Sequence, residues 1–304
     1  MILAMFKTQY RGRFAPSPTG ALHAGSLATA LGSWLHAMAH DGKWLLRIED
    51  LDLPRCVPGA DETIIQQLSA CGLSWDEEIE YQSKRTHCYS DALTKLIDSE
   101  KAYGCRCTRK QIEDAQLALG RQKDRHGELI YPGTCRNRTD VTEPCAWRLR
   151  VDDSEIEATV GDFVLRRADR IFTYQLAVVV DDHLQGITHI VRGADLLDNT
   201  PRQIYLQQQL GYKTPTYVHL PLVLDDNQEK LSKQTKATAI NVSSTKNVLN
   251  ALRDAARHLG LTDCRLLQKN KTGSDLSVSE WLAIAVSNYQ TLLNQGLIKF
   301  TELS

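Results

Sequence analysis

"RFAPSPTGALHAGS", residues 13–26, decides how the rest of the chain is read. It closes a short strand, "YRGRFAPS", passes through a proline–serine–proline turn and ends where a helix begins. That helix is expected from about His23 to His40, with apolar residues at Leu27, Leu31, Trp34, Leu35 and Met38 and a "HDGK" stop. Gly20 and Gly25 lack a Cβ, so the backbone there can turn sharply and approach a flat or anionic ligand. A helix N-terminus offers N–H groups and a positive dipole end to phosphate. His23 would add a donor to that phosphate, or to an oxyanion formed on it. The competing reading is a tight turn with a capping histidine, and the stretch alone leaves both open.

Working outward, "WLLRIED" (44–50) is a compact apolar run ending in acids, the pattern of a buried parallel strand. Helical patterns return at "GADETIIQQLSACG" (59–72) and "RTHCYSDALTKLIDSEKAYG" (85–104). Strand and helix alternate as in an α/β domain. Residues 101–170 interrupt the alternation with a cysteine cluster, the charged helix-like "RKQIEDAQLALGRQKDR" and strands at "AWRLRV" and "DFVLRRADRIF". Alternation resumes with "YQLAVVVDDHLQG", the strand "THIVRG" and the helix "NTPRQIYLQQQLG". "YVHLPLVLDD" leads into a polar loop, "NQEKLSKQTKA", and two serine-capped amphipathic helices follow, "SSTKNVLNALRDAARHLG" and "SVSEWLAIAVSNYQTLLNQG". The expected division is 1–100, first half of an α/β catalytic domain; 101–170, an inserted α+β subdomain; 171–238, second half; and 239–304, a small helical subdomain.

With 304 residues, 42% hydrophobic and 24% charged, the composition is that of a globular protein of two or three lobes. No apolar run reaches the roughly 18 residues of a membrane span. The start, "MILAMFKTQYRGR", lacks a secretory pattern, so the expectation is a cytoplasmic protein with no membrane partner. A net charge of −1 is silent on nucleic acid. Locally, Lys101 to Arg138 carry nine Lys/Arg against four Asp/Glu, a footprint suited to RNA phosphate or simply a solvated face. Eight cysteines in such a chain read as thiols or metal ligands. Cys56, Cys71, Cys88 and Cys264 stand singly and read as packed or idle thiols. Cys105 and Cys107 with Cys135 have a spacing that suits tetrahedral zinc, and cysteine counting alone nominates Cys145 or His126 as the fourth ligand.

The second motif is "KLSKQ", Lys230 to Gln234, about 200 residues downstream. A lysine there could swing onto a triphosphate and neutralise charge developing at its α-phosphate. Together the "HAGS" and "KLSK" stretches resemble the two signatures of class I aminoacyl-tRNA synthetases, HIGH and KMSKS. "RFAPSPTGALHAGSLATAL", "WLLRIEDLD", "YQLAVVVDD" and "HIVRGADLLDNTPRQ" look like the glutamyl-tRNA synthetase subgroup. The resemblance implies a Rossmann-type parallel sheet core. It implies catalytic roles for His23, Gly25, Lys230 and Lys233, with His23, Gly25 and Lys233 on ATP carrying Mg2+. It further implies a glutamate pocket from Arg13, Phe14, Ala15, Pro16, Ser17, Glu49, Tyr174 and Arg192. The chemistry agrees: Arg13 and Arg192 suit a carboxylate and Glu49 an ammonium group. Each, taken alone, reads equally as an inter-strand salt bridge. In-line attack at phosphorus needs positioning more than a base, and no base is nominated.

Only 70 residues follow Gln234, so no anticodon-reading domain is expected. Complete signatures without that domain resemble the truncated family of glutamyl-Q tRNA(Asp) synthetases. The resemblance implies tRNA-independent activation of L-glutamate by ATP and transfer to the queuosine base at position 34 of tRNA(Asp), by a monomer. It also implies one structural Zn2+ held by Cys105, Cys107, Cys135 and a tyrosine four residues before the last cysteine, here Tyr131. Conventional relatives that keep the zinc often have His two residues after that cysteine, where this chain has Asn137. The Cys107–Tyr131 gap is long and reads as an extended hairpin or helix. Gln234 departs from the KMSKS pattern, and leucine replaces its methionine. The alternatives are a conventional but minimal glutamyl-tRNA synthetase and a non-catalytic RNA-binding paralogue, the latter expected to carry damaged signatures.

Overall fold

The structure is a computed structural model that describes residues 9–120, 130–221, 238–261, 266, 276–297 and 301–303. The chain runs β1 (Arg11–Phe14), α1 (Ala24–Ala39), β2 (Lys43–Ile48), α2 (Ala60–Ala70), β3 (Glu80–Tyr81) and α3 (Thr86–Asp98). It continues through β4 (Ala102–Cys105), α4 (Arg109–Ala118), β5 (Ala146–Leu149), α5 (Ser154–Thr159), β6 (Val164–Arg166) and α6 (Tyr174–Leu184). Last come β7 (His189–Gly193), α7 (Thr200–Leu210), β8 (Thr216–Leu220), α8 (Thr245–His258), α9 (Val278–Asn294) and β9 (Thr301–Leu303). Two compact units emerge: residues 1–82, 186–197 and 215–304, and residues 83–185 and 198–214. No helix among the described residues is long and apolar enough to cross a membrane.

The first unit is the α/β core that the alternation predicts. β1 runs parallel to β2, Arg13 opposite Leu45, and β2 runs parallel to β3. β7 and β8 are also parallel, Arg192 opposite His219. Thr188 joins the two sets: its N–H donates to the Arg11 carbonyl at 2.9 Å, and its Oγ1 accepts from the Arg11 N–H at 2.9 Å. β1 therefore stands between β2 and β7. The strands are apolar because both faces are covered, and Trp44, Leu45, Leu46 and Ile48 of β2 are all buried. Helix α1 packs on this sheet, and α8 and α9 pack on α1. Their buried stripes follow helical spacing: Val248, Leu249, Leu252, Ala255 and Ala256 on α8, and Trp281, Leu282, Ala285 and Tyr289 on α9. Ser244 and Ser277 cap the two helices with their side chains, as their positions in the sequence predict. β9, antiparallel to β8, was not anticipated.

The second unit holds an antiparallel sheet, β4-β5-β6, with helices α3 to α7. Here one sequence expectation fails. The helical pattern over 85–104 ends at Asp98, and its last residues become β4. Glu100 takes a left-handed φ of 59°, the Lys101 N–H reaches back to the Leu96 carbonyl at 2.8 Å, and the Glu100 N–H reaches Ile97 at 2.9 Å. That pair of bonds terminates a helix without the glycine that usually marks the spot, which is why the stop is hard to read.

Candidate functional site

The turn of residues 15–23 joins the carboxyl end of β1 to the N-terminus of α1. Gly20 carries a φ of 137°, a backbone conformation that side-chain-bearing residues rarely adopt. The turn is pinned from below: the Glu49 N–H donates to the Pro16 carbonyl at 3.0 Å and the Val57 N–H to Pro18 at 2.9 Å. His23 is the N-cap. Its Nδ1 accepts from the amides of Gly25 (3.1 Å) and Ser26 (3.3 Å), and Ser26 Oγ accepts the His23 N–H at 2.8 Å. The capping reading is therefore correct, and it has a chemical consequence. An Nδ1 that accepts two N–H groups has no proton, so the neutral ring carries its proton on Nε2. Capping fixes the tautomer that makes Nε2 a donor.

Leu22, just before this cap, is tied down on both sides of its backbone. Its N–H donates to Gln67 Oε1 at 2.7 Å, its carbonyl accepts from the Ile240 N–H at 2.9 Å, and Gln67 Nε2 donates to the Ile240 carbonyl at 3.3 Å. His23 and Ala239 pair as an antiparallel bridge. Lys230, Lys233 and Gln234 lie outside the described residues, which resume at Thr238.

The glutamate candidates follow the strand ends. Arg13 is the third residue of β1, Glu49 follows the last residue of β2, and Arg192 is the fourth of β7, so each stands at or near the carboxyl end of its strand. In sheets of this kind, ligands bind beyond the carboxyl edge. Arg13 and Arg192 are 4% and 3% exposed, far too buried for ordinary surface arginines. Arg192 Nε meets His219 Nε2 at 3.4 Å, its Nη2 donates to the Leu196 carbonyl at 3.2 Å, and its guanidinium lies 5.0 Å from the Tyr217 ring centre. Glu49 Oε1 lies 3.5 Å from Nη2 of the fully buried Arg47. Phe14 packs inward on Trp44, so it supports the edge through its backbone, with Ala15, Pro16 and Ser17 following in the turn. Tyr174 begins α6 in the second unit, half-buried.

In the second unit, Cys105 ends β4 and converges with Cys107 and Cys135, their sulfurs all within 4.8 Å of one another. Among the described residues this is the one group of three or more His, Cys, Asp or Glu side chains poised to share an ion. The Tyr131 hydroxyl sits among them, 3.3 Å from Cys105 Sγ and 3.4 Å from Cys107 Sγ, and accepts the Cys135 N–H at 2.8 Å. Four donors at these spacings suit a tetrahedral ion, whose sulfur ligands stand about 3.8 Å apart at Zn–S near 2.3 Å. Cys145, the rival fourth ligand, is buried but is not part of the group; His126 lies outside the described residues.

Backbone geometry carries the tyrosine there. Tyr131 bridges to Gly161, whose φ is 66° and where an added Cβ would meet Ile130 at 2.8 Å. The Arg148 guanidinium lies 3.9 Å from the Tyr131 ring centre and is held by the Asp162 carbonyl at 2.9 Å. Burial alone would hold the Cys135 thiol up. Hydrogen bonds from Tyr131, the Arg106 backbone and the neighbouring thiols outweigh it and bring Cys135 down to about 7. Cys107 is pushed the other way, to about 11, chiefly by burial.

Residues 9–271 match the family described as class I tRNA synthetases (E and Q), catalytic domain, and the chain belongs to that family. Within the class it stands with the glutamyl-Q tRNA(Asp) synthetases. The protein of that name from Albidiferax ferrireducens is 51% identical, the match covering 84% of this chain and 94% of that one. The one from Cupriavidus metallidurans is 50% identical over 92% and 91% of the two chains. The solved glutamate tRNA ligase of Elizabethkingia meningosepticum, in complex with its amino acid, superposes with a TM-score of 0.70 at 26% identity. That match covers 90% of this chain and 64% of the ligase, so the chain spans just under two thirds of it.

Sequence reading missed two residues that shape these sites. Gln67 is a lone amide on the apolar stripe Ala60, Ile64, Leu68 of α2, and that misplaced polarity was its signal. Arg148 alternates with buried Leu149 on β5, and nothing in the sequence distinguishes it from a solvent-facing arginine.

Proposed function

We propose that this chain activates L-glutamate with ATP, without tRNA, and passes the glutamyl group to the queuosine base of tRNA(Asp). The observation that carries the reading is half-identity to synthetases of that name over nearly their whole length, together with His23 held as an Nε2–H donor at the α1 N-terminus. In the first step a glutamate α-carboxylate oxygen attacks the α-phosphorus and the bond to pyrophosphate breaks. The charge that builds on the phosphates meets the α1 amides, with Gly25 letting the nucleotide approach, and the His23 Nε2–H. Lys230 and Lys233 supply the cations. Mg2+ accompanies ATP and neutralises its phosphates. Arg13 and Arg192 bind the substrate's side-chain carboxylate, Glu49 accepts from its ammonium group, and the backbone of Phe14 to Ser17 forms the wall between amino acid and nucleotide. The role of Tyr174 rests on the resemblance alone. In the second step a hydroxyl of the queuosine cyclopentene diol attacks the acyl carbon and AMP leaves. One pocket serves because that cis-diol is chemically like the 2′,3′-diol of a ribose.

Cys105, Cys107, Cys135 and Tyr131 would hold one Zn2+, which supplies folding energy to their unit and no chemistry to the reaction. The positive excess of residues 101–138 suits the phosphates of the RNA, and the cytoplasm is where ATP and the tRNA meet the enzyme.

The test is glutamate-dependent ATP–pyrophosphate exchange without tRNA, followed by glutamate transfer to tRNA(Asp) with and without queuosine. Exchange and queuosine-dependent transfer are expected. Absence of exchange sinks the enzyme reading, and transfer only to tRNA(Glu) sinks the choice of acceptor.

A further inference from the structure

We infer that Gln67 is a positioning residue for adenylate formation, acting through Leu22 on the His23 ring; this rests on the function proposed above. Gln67 is 4% exposed and lies on the apolar stripe of α2, where an amide is costly unless both its ends are bonded. Both are. Oε1 takes the Leu22 N–H at 2.7 Å and Nε2 gives to the Ile240 carbonyl at 3.3 Å, while Ile240 N–H closes the ring of bonds on the Leu22 carbonyl at 2.9 Å. The three residues are far apart in the chain, by 45 and 173 positions, so no local structure requires the arrangement.

Its effect falls on the next residue. His23 is held on its helical side by Gly25, Ser26 and the cap, and on its entry side by the backbone of Leu22 and the bridge to Ala239. The cap decides which nitrogen carries the proton. The clamp decides where that nitrogen points. A donor aimed at developing charge loses most of its value when displaced by about 1 Å, a loss on the order of 100-fold in rate. Arg13, Glu49 and Arg192, which the proposed function assigns to glutamate, stand on or just after β1, β2 and β7, whereas Gln67 bonds Leu22 and Ile240, so substrate affinity should not follow.

The experiment measures ATP–pyrophosphate exchange in Gln67→Met, which keeps the volume and removes both bonds. Expected is a kcat loss of about tenfold with the KM for glutamate within twofold. In a double-mutant cycle, the same substitution in a His23→Asn background should cost less than twofold, because the donor it aims is gone. A lowered melting temperature with unchanged kcat, or the full loss persisting in the His23→Asn background, overturns the inference. Should Gln67→Met fail to fold, Gln67→Glu keeps an acceptor for Leu22 and sets a carboxyl oxygen against the Ile240 carbonyl in place of the donor. A kcat loss of at least threefold with unchanged KM supports the inference, and unchanged kcat overturns it. If the wild-type chain shows no exchange, the proposed function fails instead, which keeps the two failures apart.

Discussion

At the N-terminus of α1 the donors are backbone amides and a single imidazole, whereas at the end of β4 they are three thiols and a phenol, with Cys107 and Tyr131 24 residues apart. The first region takes most of its chemistry from the peptide backbone, which any sequence folding this way would supply. The second takes it entirely from side chains, which few other residue types replace. Damage should therefore spread differently. A substitution in the first region should slow chemistry and leave the unit folded, while one in the second should unfold what surrounds it.

The largest expected effect tests that contrast at its strong end. Cys135→Ser should cut binding of the proposed zinc to under a tenth per chain and lower the melting temperature by more than 10 °C, read by metal analysis and calorimetry. Structural zinc contributes on the order of 10 kcal/mol to small sites, so a unit built on the proposed ion loses much of its support with one ligand. A variant that stays zinc-free with an unchanged melting temperature would break the comparison.

The weak end is His23. His23→Asn keeps a good capping side chain and removes the Nε2–H, so exchange should slow by about 100-fold with stability within about 0.5 kcal/mol of the parent. His23→Ala removes both functions and should lose a further ~1 kcal/mol of stability by urea unfolding. Equal stability of the two variants would mean that the cap contributes nothing.

A third test asks whether the first unit is as tolerant elsewhere. His36 is buried beside Tyr10, His40 and His189, with its Nδ1 2.8 Å from the Tyr10 hydroxyl and the Tyr289 ring edge-on at 6.1 Å. Burial, and then the charges of His40 and His189, lower its pKa from 6.5 to about 3. As pH falls through 6.5 the unfolded chain takes up a proton that the folded chain refuses, so stability present above 6.5 is lost toward 3. Between pH 7 and pH 5 urea unfolding should register a loss of about 2 kcal/mol from this ring. His36→Gln should flatten that slope. A slope unchanged by the substitution would assign the loss to other groups.

The smallest effect refines the second region. Arg148→Met removes the guanidinium from the face of the Tyr131 ring without touching a ligand, and it should weaken zinc about tenfold in a chelator competition. Unchanged affinity would reduce Arg148 to packing.

Much of both sites was legible beforehand because it is written in short-range patterns. The parallel strand β2 announced itself as an apolar run, β1 as a short strand entering a proline turn, and α1 by its 3.6-residue stripe between His23 and His40. Cys105, Cys107 and Cys135 could be grouped by spacing alone, and resemblance added Tyr131. Illegible were the contacts whose partners are remote. Whether His23 caps or donates had no answer in residues 13–26, since the two roles use opposite nitrogens of one ring and the cap occupies Nδ1. The choice between Tyr131 and Cys145 as the cluster's neighbour depended on how the chain returns past Gly161.

Sequence by itself determined the alternation of strands and helices in the core, the serine caps of α8 and α9 and the residue types at the strand ends, because capping and periodicity act over four residues or fewer. Only the tertiary structure decided that Gln67 clamps Leu22 to Ile240, that Tyr131 joins three thiols and that three imidazoles cluster around Tyr10. Those arrangements satisfy buried polar groups, and a buried donor takes whichever partner the packed chain brings within about 3 Å, however distant in sequence.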